Sequence, residues 1–331
     1  MPATAHPHDA AADDEPGAAA AHPGPDRPAP AGQGPRGAAD LPLGEQRERA
    51  LAAWDAFRRT AAAADPDAPS RLPGWTGRDV VAHLASWPEE PLLTRLLAEA
   101  RGERATAAEP LDQDAANAAL IAAHRDATRD DLLAALDAGR ARIDDAFAAV
   151  AADPGLGTTP TGSQVGPVPL LTQLGAIAYE LAVHALDLAP CGAAKPDPAL
   201  LDAGLLALAD ITGALAARHG VAADTALADP DGGWAFVASA DGWTVRRVAA
   251  DERGIPAVRG ASTALLLDAS AGRRAVPPLL VKRDLRLDNL AGLLALAPLL
   301  DHVPGLPGGP ALRVAAGWLG GIGRTISRLQ R

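Results

Sequence analysis

The 331-residue chain has a single cysteine, Cys191, so it can form no internal disulfide and no Cys-x-x-Cys metal or redox pair. A reducing, cytoplasmic setting is expected. Any thiol chemistry would use a thiol from outside, since one cysteine cannot be both attacking and resolving residue. Positive charge is scarce as well: 30 Lys and Arg against 41 Asp and Glu leave a net charge of −11 and a pI near 5.1. With no evident basic face for a phosphate backbone, nucleic acid is excluded as an expected partner. Large apolar side chains are missing from the start, where no Val, Ile, Leu, Phe, Trp or Tyr follows Met1 until Leu41. Residues 1–42 therefore read as a disordered Ala/Pro/Gly-rich acidic tail, with six acids against two bases. Neither a secretory signal nor a transit peptide fits that composition. His6, His8 and His22 lie scattered in it and are given no site. No uncharged apolar run reaches the roughly 18 residues that a membrane span needs. Walker A, the glycine fingerprint of dinucleotide-binding folds and the Gly-x-Ser-x-Gly elbow are all absent, which removes three large enzyme classes.

What is present is helical periodicity, in a chain long enough for about two domains at roughly 150 residues each. Residues 44–65, around Leu51, Trp54 and Phe57, predict a first helix. After the breaker Pro73-Gly74-Trp75, Thr76 stands as N-cap with Asp79 three residues on, so a second helix starts there and is expected to continue through Leu92 to Glu99, bending near Pro88. A third is expected over 112–151, with a break near Thr128, followed by loop chemistry over 153–167. A fourth runs from about Val168 to Leu188 and a fifth from 198 to 219. Long helices between breakers predict an antiparallel four-helix bundle over 43–221. Beyond it, Trp234–Ser239 and Trp243–Val248 flank Asp241-Gly242 as a hairpin; 261–267 reads as helix, 279–287 as extended and 288–300 as helix. The expected fold class is thus α+β, with a small α+β domain over 222–302 and a basic amphipathic segment over 303–331.

The metal-capable residues fall on two of these helices. Glu180 and His184, four apart, share one face of the fourth, and His83 sits on the second. Facing helices of a bundle can bring such residues into a three-ligand set with an open coordination position, suited to zinc or another divalent transition metal. A Glu/His pair at this spacing also recurs by chance, and a helical histidine is often only a hydrogen-bonded core residue. The apolar neighbours Tyr179, Leu181, Val183 and Leu186 favour the metal, since a carboxylate on an apolar helix needs a partner. His124 ranks below His83 as third ligand, because Arg125, Asp126 and Arg129 beside it suggest a solvent face.

Leu72-Pro73-Gly74-Trp75-Thr76 with Asp79-Val80-Val81-Ala82-His83-Leu84 resembles the start of the metal-binding domain in the mycothiol-dependent maleylpyruvate isomerase family, within the DinB-like bundle superfamily. Glu180-Leu181-Ala182-Val183-His184-Ala185-Leu186-Asp187 is similar to that family's second motif. The resemblance implies that His83, Glu180 and His184 bind zinc, and that a low-molecular-weight thiol such as mycothiol acts as nucleophile or cofactor. It further implies an isomerase of maleylpyruvate-like substrates or a thiol S-transferase, with a small-molecule electrophile and a thiol as partners. The segment with Val258-Arg259-Gly260 and Ala264–Leu267 looks like the family's sterol-carrier-protein-like C-terminal domain. The long tail and Ala271-Gly272-Arg273-Arg274 depart from the pattern.

An anionic substrate calls for a guanidinium, and Arg246, Arg247, Arg273 and Arg283 are the candidates, each weighed against being an ordinary surface arginine. Two other classes stay open: a non-catalytic metal-binding regulatory module, and a carrier of hydrophobic ligands through the C-terminal domain. At the chain end Ala315, Leu319, Ile322, Ile326 and Leu329 form an apolar stripe among Arg313, Arg324, Arg328 and Arg331. Packing on its own domain or a second subunit is expected there in preference to membrane contact, since the segment's four glycines weaken an isolated helix.

Overall fold

In the computed structural model, which describes residues 34–87, 92–107 and 113–301, several helix starts are set by side-chain caps. The described residues form one compact unit. The first helix, α1, spans Leu43–Ala63 and buries Leu51, Trp54 and Phe57. The second, α2, spans Gly77–Leu84: Thr76 Oγ1 accepts from the Asp79 N–H while Asp79 Oδ2 accepts from the Thr76 N–H at 2.7 Å, a reciprocal capping box. It stops at Leu84 and does not run on to Glu99; a separate α3 covers Leu92–Ala100, and Pro88 lies outside the described residues. The expected third helix is two, α4 (Gln113–Ala123) and α5 (Arg129–Ala152), because Thr128 and Asp131 build a second capping box and restart the chain.

The stretch expected as loop holds more structure than its glycines and prolines suggest. A short α6 (Pro154–Thr158) is followed by β1 (Pro160–Thr161) and β2 (Val168–Pro169), which pair antiparallel. Glu99, buried and paired with Arg95 at 2.6 Å, accepts the Gly162 N–H at 2.7 Å and ties that turn to α3. Helix α7 spans Leu170–Asp187 and α8 spans Pro198–Arg218, the latter capped by Asp197, with Pro198 in its first turn. Helices α1, α2, α5 and α7 enclose a core with Phe57, Phe147, Leu136, Ile143, Leu174 and Leu181 at its centre.

Helix α8 is apolar nearly all round, and among the described residues it is the helix long and apolar enough to cross a membrane. Its surroundings explain this composition: α7 packs on one side and the C-terminal sheet on the other. That sheet has five strands, β3 (Ala223–Asp229), β4 (Gly232–Ser239), β5 (Gly242–Val248), β6 (Ala257–Gly260) and β7 (Leu285–Asp288), in the order β5-β4-β3-β6-β7. Only β3 and β6 run parallel. Helices α9 (Thr263–Ser270), α10 (Val276–Lys282) and α11 (Leu290–Leu293) complete this half, the last running into a 3-10 turn over Leu294–Asp301. The α+β class is the one expected: helices first, then a sheet domain.

Three further local expectations fail for physical reasons. Residues 279–287 are not one extended segment, since Pro277 in the first turn favours α10, which ends only at Arg283 in the left-handed region with φ 62°. The apparent alternation there left Val281 85% exposed. The hairpin forms, but Ser239 pairs with Gly242, so its loop is Ala240-Asp241, one residue earlier than the Asp-Gly reading. Gly242 is used differently: its φ is +148° and a Cβ would come within 2.1 Å of the Pro35 carbonyl, which accepts the Trp243 N–H at 2.9 Å. Residues 37–40, counted in the tail by composition, form a 3-10 turn seated on α8: the Ala38 N–H and Trp243 Nε1–H both donate to Asp210 Oδ1 at 2.7 Å. The remaining tail with His6, His8 and His22, and the segment from 302 on with its arginine-flanked stripe, lie outside the described residues.

Candidate metal centre

The capping box that starts α2 places His83 in its last turn, and the packing of α2 on α7 brings that imidazole to the face carrying Glu180 and His184. One donor atom from each of the three lies within 4.8 Å of the others. The His83 and His184 rings meet edge to face, centroids 5.0 Å apart, and Glu180 Oε2 stands 3.6 Å from His184 Nε2. Trp75, from the breaker before α2, lies parallel to His184 with centroids 6.3 Å apart and edge-on to His83 at 5.6 Å. His184 is only 5% exposed, whereas the Glu180 side chain is 40% exposed, so the cluster opens to solvent on the carboxylate side.

The electrostatics of the three groups are interlocked. Burial, helped by the charge of His184, pushes His83 down to about 4 against the pull of Glu180 and Asn117, so this imidazole is neutral at neutral pH. Burial would raise Glu180, but hydrogen bonding to His184 and attraction to both histidines and Arg273 hold it below the usual carboxylate range. Burial would likewise lower His184, yet the carboxylates of Asp187 and Glu180 outweigh it and keep the imidazole above its ordinary value. The cluster also leaves His83 Nδ1 and His184 Nδ1 buried with no hydrogen-bond partner. Two imidazoles and one carboxylate converging around such an atom, with an open side, fit a divalent transition metal such as zinc.

Behind His184 lies a group that sequence reasoning passed over. Asp187, 0% exposed, has Oδ2 3.0 Å from His184 Nδ1, so the imidazole's second nitrogen faces a carboxylate. Arg273 donates to both oxygens of Asp187, from Nε at 3.1 and 3.2 Å and from Nη2 at 3.0 Å. Asp187 stood inside the second motif at i+3 from His184, a spacing that could have flagged it. Trp75 likewise stood in the first motif. Tyr179, whose phenol burial pushes upward, and Ser270 join their hydroxyls at 3.0 Å between α7 and α9.

The other candidates are placed elsewhere. Arg246 pairs with Glu252 at 2.7 Å, and Arg247 pairs with Asp202 at 2.6 Å with its guanidinium 4.3 Å from the Trp234 ring centroid. Both are exposed on β5, and no described contact joins them to the cluster. Arg283 caps α10. His124 stacks on Trp87 with centroids 3.7 Å apart and is not part of the ligand group. Of the four arginines proposed for a substrate anion, only Arg273 is brought beside the centre, and there it already holds Asp187.

Fold and site together define a helical bundle with a His/Glu/His metal-capable centre, joined to an α+β domain. Residues 47–189 match the family model for the mycothiol maleylpyruvate isomerase N-terminal domain. Two solved structures are similar at lower level. One, described as the mycothiol-dependent maleylpyruvate isomerase, is 22% identical with a TM-score of 0.47, covering 72% of this chain and 92% of that one. The other, a histidine-to-alanine mutant so described, is 22% identical with a TM-score of 0.47, covering 71% and 91%. No match to a curated protein was found.

Proposed function

We propose that the protein is a zinc-dependent enzyme that uses a low-molecular-weight thiol, mycothiol or a close analogue, to isomerise maleylpyruvate-like substrates or to transfer the thiol to an electrophile. The observation that carries this reading is the convergence of His83, Glu180 and His184, within 4.8 Å, inside the region that matches the isomerase-family domain. When bound, zinc supplies a positive charge that favours the thiolate form of a thiol near neutral pH. His83 contributes a neutral imidazole, Glu180 the negative charge, and His184 a nitrogen aimed by Asp187. Trp75 walls the histidine side from water, leaving approach from the exposed side of Glu180. The chain's own thiol takes no part, since Cys191 is buried and burial raises its pKa. The sulfur of an external thiol would add to one carbon of a cis double bond; rotation about the resulting single bond and elimination would return the thiol and the trans isomer. Addition or displacement without elimination would leave a thioether, so isomerase and transferase share one first step.

The test is elemental analysis of tag-free protein together with thiol-dependent isomerisation of maleylpyruvate. About one zinc per chain and turnover that requires added thiol are expected. Zinc without turnover on any thiol and electrophile would reduce the protein to a metal-binding module, and failure to take up zinc would remove the reading.

A further inference from the structure

Resting on the zinc reading above, we propose that Asp187 is a positioning residue for the metal centre and that Arg273 and Arg71 lock it in place, so that the C-terminal half of the molecule sets how tightly the helical half holds metal. Asp187 is the last residue of α7 and fully buried, a place where an unpaired carboxylate is costly. Its Oδ2 lies 3.0 Å from His184 Nδ1, while Arg273, from the turn after α9, grips both oxygens. Arg71, from the loop before α2, closes the third side: its Nε is 3.9 Å from Asp187 Oδ1 and its backbone N–H donates to the Asp187 carbonyl at 3.0 Å. The two arginines are themselves tied to one acid of α9, since Arg71 Nη2 donates to Asp268 Oδ1 at 2.8 Å and the Arg273 N–H to the Asp268 carbonyl at 2.8 Å.

This arrangement has one chemical consequence at the cluster. A buried carboxylate 3.0 Å from Nδ1, though not aligned as a hydrogen bond, favours the neutral imidazole tautomer that carries its proton on that nitrogen, which frees Nε2, on the Glu180 side, as the lone-pair donor. The grip engages every nitrogen of the Arg273 guanidinium: Nε and Nη2 serve Asp187 and Nη1 serves the Ala271 carbonyl at 3.0 Å. Arg273 therefore acts on the centre through Asp187 and His184.

The experiment is a zinc-affinity measurement on full-length protein by competition with a chromogenic chelator at fixed pH, with circular dichroism and melting of each zinc-free variant as folding controls. Asp187→Asn and Arg273→Gln should each weaken zinc about 10–100-fold, and the double variant should be no weaker than the poorer single one, because both act on one contact. Arg273→Lys, which keeps the charge and loses the two-oxygen grip, should fall in between. Arg246→Gln, which removes a charge elsewhere, should leave zinc affinity unchanged. Folded Asp187→Asn or Arg273→Gln with wild-type affinity would overturn the proposal; should Arg273→Gln fail to fold, wild-type affinity in Arg273→Lys does the same. A wild type that binds no zinc would instead overturn the metal reading itself, so the two failures are told apart by the first titration.

Discussion

Both halves of this molecule pair charges at the surface, as Arg47 with Asp144 and Arg58 with Asp137 do among the helices, but the helical half also gathers charge in its interior. There His83, Glu180 and His184 turn toward one point with Asp187 behind His184, and the histidines and Asp187 are largely withdrawn from water. In the sheet half Arg246 with Glu252, Arg247 with Asp202 and Arg259 with Asp288 pair at or near the surface. Surface pairs of this kind contribute roughly 0–1 kcal/mol each, whereas a buried group must be matched or metallated. Function therefore concentrates where polarity is buried, and an arginine's presence in a sequence says little until its partner is known. Arg273 crosses between the two regimes, being the sheet-half arginine that reaches the buried acid of the other half.

The comparison is broken most directly at the centre. His83→Ala and Glu180→Ala should each lose stoichiometric zinc and thiol-dependent turnover together; elemental analysis and activity that both persist in a folded variant would dissociate the cluster from function. Next in size is the shared core: Phe57, 0% exposed, should cost about 3–5 kcal/mol when replaced by alanine, read by denaturant unfolding.

A third prediction concerns the buried acid outside the cluster. Burial raises Asp210 to about 6 despite the donors from Ala38 and Trp243. The folded chain thus binds this proton more tightly than the unfolded chain, whose aspartate titrates near 4. This contribution to stability is full below about pH 4 and is lost as pH rises toward and through about 6, by roughly 3 kcal/mol. Denaturant curves across that window should show the decline in wild type and not in Asp210→Asn; an equal decline in both would assign it to another group. Smaller again is Thr76→Ala, which removes the cap that starts α2 and should cost about 1 kcal/mol in unfolding free energy while also loosening zinc through His83. Smallest is Arg246→Gln, expected within about 0.5 kcal/mol of wild type, and a larger loss would mean that the sheet-half pairs carry more than their exposure suggests.

Much of the helical half was legible because its signals are local. Thr76 with Asp79 is a four-residue pattern whose hydrogen bonds form within one turn, and the cap read from it forms; Thr128 with Asp131 repeats it where only a break was expected. Glu180 and His184 share a face by helical geometry alone. The sheet half was read less well because its choices are made by distant residues. Central strand β3 exists through pairing with β4 on one side and β6 on the other, and Gly242 takes its conformation because Pro35 lies against it. The Val281–Leu285 alternation had the right period for a strand, but Pro277 starts a helix that runs to Lys282, and only from Leu285 does the chain pair, with β6.

The sequence by itself determined most of the long helices, the cap that starts α2, the hairpin to within a residue and the identity of three metal-capable residues, because each depends on spacing within a few turns. Only the tertiary structure decided that His83 meets a helix almost a hundred residues further on, that Asp187 stands behind His184, and that one arginine of four turns inward. Those facts depend on which faces are buried together, and burial is a property of the packed chain: it removes water as the competing partner and leaves each polar atom only the neighbours that packing supplies.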